Sequence, residues 1–450
     1  MNKPTVIIGA GLTGLTTAFH LVKQGKNVLV LEKNDLIGGQ IQTIEKDGFI
    51  FETGPNTGTV SNPEVAELFY AMTPGCKMEI ANSDAARRLI WKDNKFHALP
   101  SGLLGGITTH LFTWHDKFRI LGEPFHQKGS NPDETVGALA ARRLGKSFLD
   151  YAVNPFISGI YAGNPMTLVT RYALPKLYNL EQNYGSFIRG AFAKAREPKS
   201  DRDKLATKKI FSVEGGLSHL IEALADTIGK EKIVLSADAI KINHHENEWN
   251  IDYNTKEGQQ SLTAERIITT VGAHALSALL PFVEKSEIDK IACLRYAPIV
   301  QVSVGVKNIG GRDFNAFGGL IPACERKDIL GILYPAACFR GRAPEGGMLF
   351  SFFIGGINKS YLTELSDIEI ENIVVREFHK MLGFPANIEP DLIHIARHSY
   401  AIPQYEKDTG ERLAAVERLQ KRYCRLVIAG NLRDGISMAD RIKQGASLVI

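Results

Sequence analysis

One short stretch near the start of the chain allows few folds. Thr5-Val6-Ile7-Ile8 is brief, apolar and β-branched, which predicts a strand buried on both faces. Gly9-Ala10-Gly11-Leu12-Thr13-Gly14 comes next. Residues 15–24 then carry apolar side chains at helical spacing, and Gly25 predicts the stop. Residues 27–31 read as a second buried strand, with Glu32 at its end. Strand, glycine turn, helix, strand and acid, in that order, are what a dinucleotide-binding fold requires. Each part has a reason. Gly9 permits the tight turn, Gly11 lets backbone N–H groups reach a pyrophosphate with no Cβ in the way, and Gly14 lets the helix pack close to the sheet. The helix N-terminus brings partial positive charge to the phosphates. The Glu32 carboxylate can accept two hydrogen bonds from a ribose diol.

The residues beyond Glu32 distinguish a flavin from a nicotinamide. Gly38-Gly39-Gln40 comes after a short loop, then Thr43, then Gly48-Phe49-Ile50-Phe51-Glu52-Thr53-Gly54-Pro55-Asn56. Paired glycines bring backbone close to the ligand a second time, and Thr43 offers a hydroxyl. A nicotinamide dehydrogenase has no need of this second contact, whereas a protein that lays an extended FAD along the domain does. The expected contacts are therefore Gly9, Gly11, Gly14, Glu32, Gly38, Gly39, Gln40, Thr43, Gly54, Pro55 and Asn56.

Composition narrows the rest. At 450 residues the chain exceeds the roughly 250–300 at which a single core stops growing, so two or three interwoven domains are expected. The net charge is only +4 and no Lys/Arg tract stands out, which argues against a nucleic-acid partner. The 5 cysteines are scattered, with no C-x-x-C pair and no Cys/His cluster, so neither a metal site nor a disulfide framework is expected, and a reducing compartment fits best. The apolar start is too short for a signal peptide, and no stretch of about 18 apolar residues predicts a membrane span. The expected location is the cytoplasm. Amphipathic, basic stretches around residues 103–125 point to at most a peripheral contact with the inner face of the cytoplasmic membrane.

Six further segments resemble, in order, those of the flavin-dependent amine oxidase superfamily, and most of all its oxygen-dependent protoporphyrinogen/coproporphyrinogen oxidase branch. They are Leu99-Pro100-Ser101-Gly102, residues 154–165 (Asn154 through Gly159 and Gly163 to Pro165), Phe211 to Leu217 with Gly215-Gly216, Arg342-Ala343-Pro344, Ala401-Ile402-Pro403-Gln404-Tyr405, and Ala429-Gly430-Asn431 with Gly435-Ile436-Ser437. Two departures stand out. Gln40 occupies a position where the wider superfamily usually has Arg, which removes one cationic phosphate contact. Glu406-Lys407-Asp408-Thr409-Gly410 stands where the branch often has Gly-His, so no catalytic His is assigned there.

The resemblance implies an α/β plus α+β architecture. A Rossmann-like FAD-binding domain (glutathione-reductase-like, of the p-hydroxybenzoate-hydroxylase type) would be assembled from residues 1–84, 209–283 and 408–450. Residues 85–208 would form a mostly helical domain, with 194–209 a solvated loop. Read from the residues themselves, strand signals at 300–306, 331–334 and 348–354 alternate with one helical pattern at 367–382, which suits a mixed-sheet substrate domain over residues 284–407. Backbone near Ala239 would meet the adenine, while the Gly430-Asn431 turn and a helix begun by Ser437 and Met438 would face the flavin. FAD would be non-covalent, because Cys424, the one cysteine near that turn, precedes its strand on the wrong side.

The implied reaction is oxidation of a porphyrinogen, with dioxygen as acceptor, hydrogen peroxide as product and the flavin carrying the chemistry. No catalytic side chain is expected. Arg88 matches the arginine that holds a substrate propionate, and Leu320, Leu333 and Phe353 match the residues that grip the ring. Gly159 and Gly163 would let backbone pass close to it. Protoporphyrinogen IX leads, coproporphyrinogen III remains open, and an amine oxidase would need an aromatic pair for which Tyr400 and Tyr405 are the candidates. A degenerate flavin-fold binding module is the non-enzymatic alternative, and the sequence leaves a homodimer open.

Overall fold

A computed structural model describes residues 3–100, 108–245 and 248–449. Part of the Leu99–Gly102 segment and the start of the expected membrane-facing stretch, residues 103–107, lie outside them.

The first sheet is parallel and five-stranded, in the order Ile233–Val234, Val28–Leu31, Thr5–Ile8, Arg266–Thr269, Leu426–Ile428. Both faces are covered, which is why these strands are apolar apart from Thr5, Arg266 and Thr269 at their ends. On one face Ile7, Val28, Val30 and Ile268 pack under the Leu12–Lys23, Ser218–Ile228 and Met438–Ser447 helices. On the other, Val6, Ile8, Leu31, Ile267 and Ile428 meet a three-stranded antiparallel sheet, with strands beginning at Asp238, Glu248 and Gly258, and the Lys285–Ala292 and Thr409–Arg422 helices.

The second sheet is mixed and seven-stranded, in the order Leu392–Pro403, Tyr296–Val306, Met348–Gly355, Ile329–Leu333, Gly318–Leu320, Arg88–Lys92, Lys95–Ala98. Even-numbered residues of its central strands (Val300, Val302, Val304, Phe350, Phe352, Ile354) are buried against Ile370, Val374 and Phe378 of the Asp367–Leu382 helix. That helix has the bounds expected from sequence, because Ser366 and Glu369 form a capping box at its start and Gly383 ends it in the left-handed region.

Two differences from expectation are instructive. Residues 88–98, expected within a mostly helical stretch, form a hairpin in the mixed sheet. Its turn residues Asp93 and Asn94 have φ of 52° and 60°, the conformation a two-residue hairpin needs. Residues 194–209, expected as a loop, begin inside the Phe187–Arg196 helix and contain the short Asp201–Lys204 helix, capped by Ser200 and Asp203.

Candidate flavin and substrate site

The C-terminal ends of the parallel strands gather the expected cofactor residues. Gly9 has φ of +103°, and a Cβ on Gly14 would lie 2.0 Å from the Gly9 carbonyl oxygen, so both positions require glycine. Gly11 differs: a Cβ there meets nothing within 4 Å. It bridges to Gly38, whose N–H donates to the Ala10 carbonyl at 2.8 Å, and Gly39 lies over the Gly11 Cα. The Leu12–Lys23 helix starts at Gly11 with no side-chain cap and no acid in its first turn. The helices begun by Thr113, Ser200, Ser366 and Ser437 all have capping boxes. Open space at Gly11 beside uncapped N–H groups fits a dinucleotide pyrophosphate.

Glu32 is buried at the end of its strand. Its carboxylate accepts the Ala10 N–H at 2.8 Å and the Asn34 N–H at 2.9 Å, which fixes it beside the glycine turn with lone pairs remaining for a diol. The Ala237 N–H donates to the Glu32 carbonyl and the Ser236 N–H to the Asn34 carbonyl. That pairing brings Ala239, exposed and with φ of 50°, to the same edge.

Some expected contacts serve the protein itself. The Thr43 hydroxyl donates to Glu52 Oε2 at 2.7 Å and accepts the Ser218 N–H at 3.0 Å. It belongs to a buried knot in which Glu52 Oε1 also accepts the Leu217 N–H and faces Arg342 Nη1 at 3.5 Å. Burial raises the Glu52 carboxyl above its ordinary value, against the pull of Thr43, Leu217 and Arg342. Gln40 is exposed and donates to the Tyr400 carbonyl. Asn56 is buried, donates to the Gly54 carbonyl beside Pro55, and accepts from the Ser351 hydroxyl at 2.8 Å. Met438 is buried in the core, and Ser437 caps its helix through Asp440.

The four residues expected to grip substrate come together on one surface. Strand pairing aligns Gln301, Phe353, Gly331, Leu320 and Ile90 in one row, and Ser303, Ser351, Leu333, Gly318 and Arg88 in the next. Aligned residues share a face, so Arg88, Leu320, Leu333 and Phe353 all project from the side opposite the Asp367–Leu382 helix. Gly331, between Leu320 and Phe353 in this row, has no room for a side chain: a Cβ there would lie 2.9 Å from the Gly319 carbonyl oxygen and 3.1 Å from Leu320 Cδ2. On this face Gln301 Nε2 donates to the Glu52 carbonyl at 2.6 Å and Ser351 to Asn56, so segment 52–56 lies against it. Arg88 is exposed, and its guanidinium has no hydrogen bond or ion pair among the described residues. Its neighbour Arg87 is spent on the Asn315 carbonyl.

The close approach that Gly159 and Gly163 each allow is to protein. A Cβ on Gly159 would lie 2.5 Å from Leu320 Cδ2, and one on Gly163 would lie 2.4 Å from Gln404 Oε1. Sequence reasoning passed over Gln301, a buried amide in a strand otherwise rich in valine, and His398, whose Nε2 lies 2.6 Å from the Thr53 carbonyl. The polar interruption of the valine run was the available signal for Gln301. His398 had none.

Tyr400 and Tyr405, the candidates for the aromatic pair an amine oxidase would need, do not pair with each other. Tyr400 stacks on His274 at 3.8 Å, whereas Tyr405 is buried with its hydroxyl on the carbonyls of Asn431 and Gly435.

Protoporphyrinogen oxidase 1 of Arabidopsis thaliana is 31% identical over 89% of this chain and 78% of its own. Coproporphyrinogen III oxidase of Bacillus subtilis (strain 168) is 25% identical over 100% of this chain and 97% of its own. The solved structure of a protein from Exiguobacterium sp. 255-15 superposes with a TM-score of 0.83 at 23% identity, covering 100% of this chain and 98% of that one. Residues 12–435 match the family described as flavin containing amine oxidoreductase, and the chain belongs to that family.

Proposed function

We propose that the protein is an FAD-dependent porphyrinogen oxidase that converts protoporphyrinogen IX to protoporphyrin IX in heme biosynthesis, with dioxygen as acceptor and hydrogen peroxide as product. The observation that carries this reading is the shared face of Arg88, Leu320, Leu333 and Phe353 against segment 52–56. When bound, FAD takes up the hydride equivalents and returns the electrons to dioxygen. The chain's residues hold and orient. Segments 1–84, 209–283 and 408–450 form the flavin domain, a division supported by the origin of every strand of the five-stranded parallel sheet in one of the three. Cys424 lies at the far end of its strand from Gly430, which supports a non-covalent FAD.

Leu320, Leu333 and Phe353, each only partly buried, offer apolar surface to a tetrapyrrole, while Ile90 beside them is buried with Leu111 and Phe112, and the unpaired Arg88 offers a cation to a carboxylate. Coproporphyrinogen III is the second reading, favoured by the full-length match to a coproporphyrinogen III oxidase. An amine oxidase is disfavoured because Tyr400 and Tyr405 do not pair. Anaerobic mixing of the purified yellow protein with each porphyrinogen and with an amine decides: the substrate that bleaches the flavin is the one oxidised. Bleaching by the amine alone would end the porphyrinogen reading.

Arg88→Ala should raise KM and leave kcat largely intact, because a propionate contact is made equally in the ground and transition states. The loss in kcat/KM should be about 1.5–3 kcal/mol, the worth of a hydrogen bond to a charged group. Leu333→Ala and Phe353→Ala should instead lower kcat, since misplacing the ring by about 1 Å costs on the order of a hundredfold. Steady-state kinetics on variants with equal flavin content checks this. An unchanged kcat/KM in Arg88→Ala would make it a surface arginine.

A peripheral membrane contact is proposed for the helical stretch. Trp114, Phe118 and Leu121, spaced along one helix face, are 62%, 68% and 65% exposed, and Phe125 beyond them is 83% exposed beside Arg189. No helix among the described residues is long and apolar enough to cross a bilayer. Replacing Trp114 and Phe118 by Ser should abolish sedimentation with anionic vesicles that the unaltered protein shows at low salt. Sedimentation by the variant as strong as that of the unaltered protein would move the contact elsewhere.

A further inference from the structure

The 401–405 and 429–437 segments meet in the structure, and the contact gives the first of them a role. The turn from Asn431 to Gly435 has little regular hydrogen bonding of its own, and both Asp434 (φ 64°) and Gly435 (φ 95°) are left-handed. Side chains hold it. The Tyr405 hydroxyl donates its proton between the carbonyls of Asn431 and Gly435, 2.9 Å from each. The Tyr296 hydroxyl donates to Asn431 Oδ1 at 3.1 Å. Arg441 Nη2 donates to the carbonyls of Arg433 and Gly435, both at 2.8 Å.

Both tyrosines are buried and come from one corner of the mixed sheet, where Tyr296 pairs with Pro403. Residues next to Tyr405 reach the other way. Gln404 Nε2 donates to the Tyr161 carbonyl, and the Tyr405 carbonyl accepts the Val169 N–H, so this corner also grips the stretch around Gly159 and Gly163. Burial pushes the Tyr405 phenol well above its ordinary range, so it remains a donor throughout the working pH range.

We propose that Tyr405, assisted by Tyr296, is a positioning residue for the flavin: its hydroxyl sets the 431–435 turn and with it the start of the Met438–Ser447 helix. This rests on the protein's being an FAD enzyme. It explains why a tyrosine stands where a phenylalanine would fill the same apolar space among Val136, Ile157, Leu168 and Ala173.

The test compares Tyr405→Phe with Tyr161→Phe. Tyr161 lies in the same cluster, and its buried hydroxyl donates to the Ala173 carbonyl at 2.6 Å, away from the turn. Each variant is stripped of flavin and titrated with FAD, and its melting temperature and visible flavin spectrum are recorded. Both should lose similar apoprotein stability. Only Tyr405→Phe should weaken FAD roughly tenfold, the worth of one buried hydrogen bond, and shift the flavin absorption band. Tyr296→Phe should change both in the same direction. Unchanged affinity and spectrum in Tyr405→Phe, or an equal loss in Tyr161→Phe, would overturn the assignment. An unaltered apoprotein that takes up no FAD would remove the flavin reading itself and this proposal with it.

Discussion

Gly11→Val should yield a protein that folds and holds almost no FAD. Gly11 has φ of −77° and ψ of 178°, extended backbone that valine adopts readily, and a Cβ there meets no protein atom within 4 Å. The empty protein therefore has no reason to object to the substitution. The pyrophosphate does, because the side chain occupies the space through which Gly11 and its neighbours offer N–H groups. Losing two hydrogen bonds to a charged group, at about 1.5–3 kcal/mol each, weakens binding by on the order of 10²–10⁴-fold. Gly14→Ala is the contrasting variant. Its Cβ would be driven to 2.0 Å from the Gly9 carbonyl oxygen, so it should damage the fold before any ligand arrives. The check is the flavin released by acid per mole of protein, with the melting temperature of both apoproteins. Full flavin occupancy in Gly11→Val would place the pyrophosphate elsewhere.

That contrast separates the parts of this site that a sequence can reveal from those it cannot. The glycine turn is legible because its reasons are local: a φ, an uncapped helix, an acid one strand later. The Asp367–Leu382 helix is legible because its stop and start signals lie within its own ends. The surface formed by Arg88, Leu320, Leu333 and Phe353 is not visible to local reasoning. Their shared face depends on three strand pairings, among them the parallel pairing of Arg88 with Gly318, residues far apart in the chain, and a slip of one position there would turn Arg88 to the face opposite the other three. Resemblance supplied those four names, and the register places them on one face. Glycines 159 and 163 fall between these cases. The sequence marks a close approach, but only the fold reveals that Leu320 and Gln404 make it. Thr43 shows the converse: a hydroxyl beside a ligand motif looks available until Glu52, drawn to it by strand pairing, claims it.

Arg143→Met should be the most destabilising single change in the helical stretch. Arg143, Glu123 and Glu181 are almost wholly buried. The guanidinium donates to Glu123 Oε1 at 2.7 Å, to Glu181 Oε1 at 2.6 Å and to the Gly185 carbonyl at 2.8 Å. Glu123 in turn accepts the N–H groups of Phe187 and Ile188, holding the start of the Phe187–Arg196 helix. Burial works against the Glu123 charge, but the Ser186 hydroxyl, the Phe187 N–H, the Arg143 guanidinium and the Ile188 N–H together hold its carboxyl below the usual range. Removing the cation leaves Glu123 buried without its counter-charge and Glu181 with Arg142 alone, whose Nη2 lies 2.9 Å from Glu181 Oε1; breaking a buried pair of this kind costs about 3–5 kcal/mol. The pH dependence takes its sign from these shifts. In the unaltered protein the depressed Glu123 carboxyl contributes stability above its unfolded value, and that contribution is lost as pH falls through its folded value. In Arg143→Met the carboxyl should titrate higher in the folded than in the unfolded state, so the penalty should be full at neutral pH and shrink towards acid. Adding Glu123→Gln and Glu181→Gln to Arg143→Met should recover part of the loss, because neutral amides cost less to bury than uncompensated carboxylates. Urea unfolding of the single and triple variants across that pH range measures both effects. A loss below about 1 kcal/mol at neutral pH, the scale of an exposed pair, would mean that water reaches the cluster and that the helical stretch owes its stability to its apolar contacts instead.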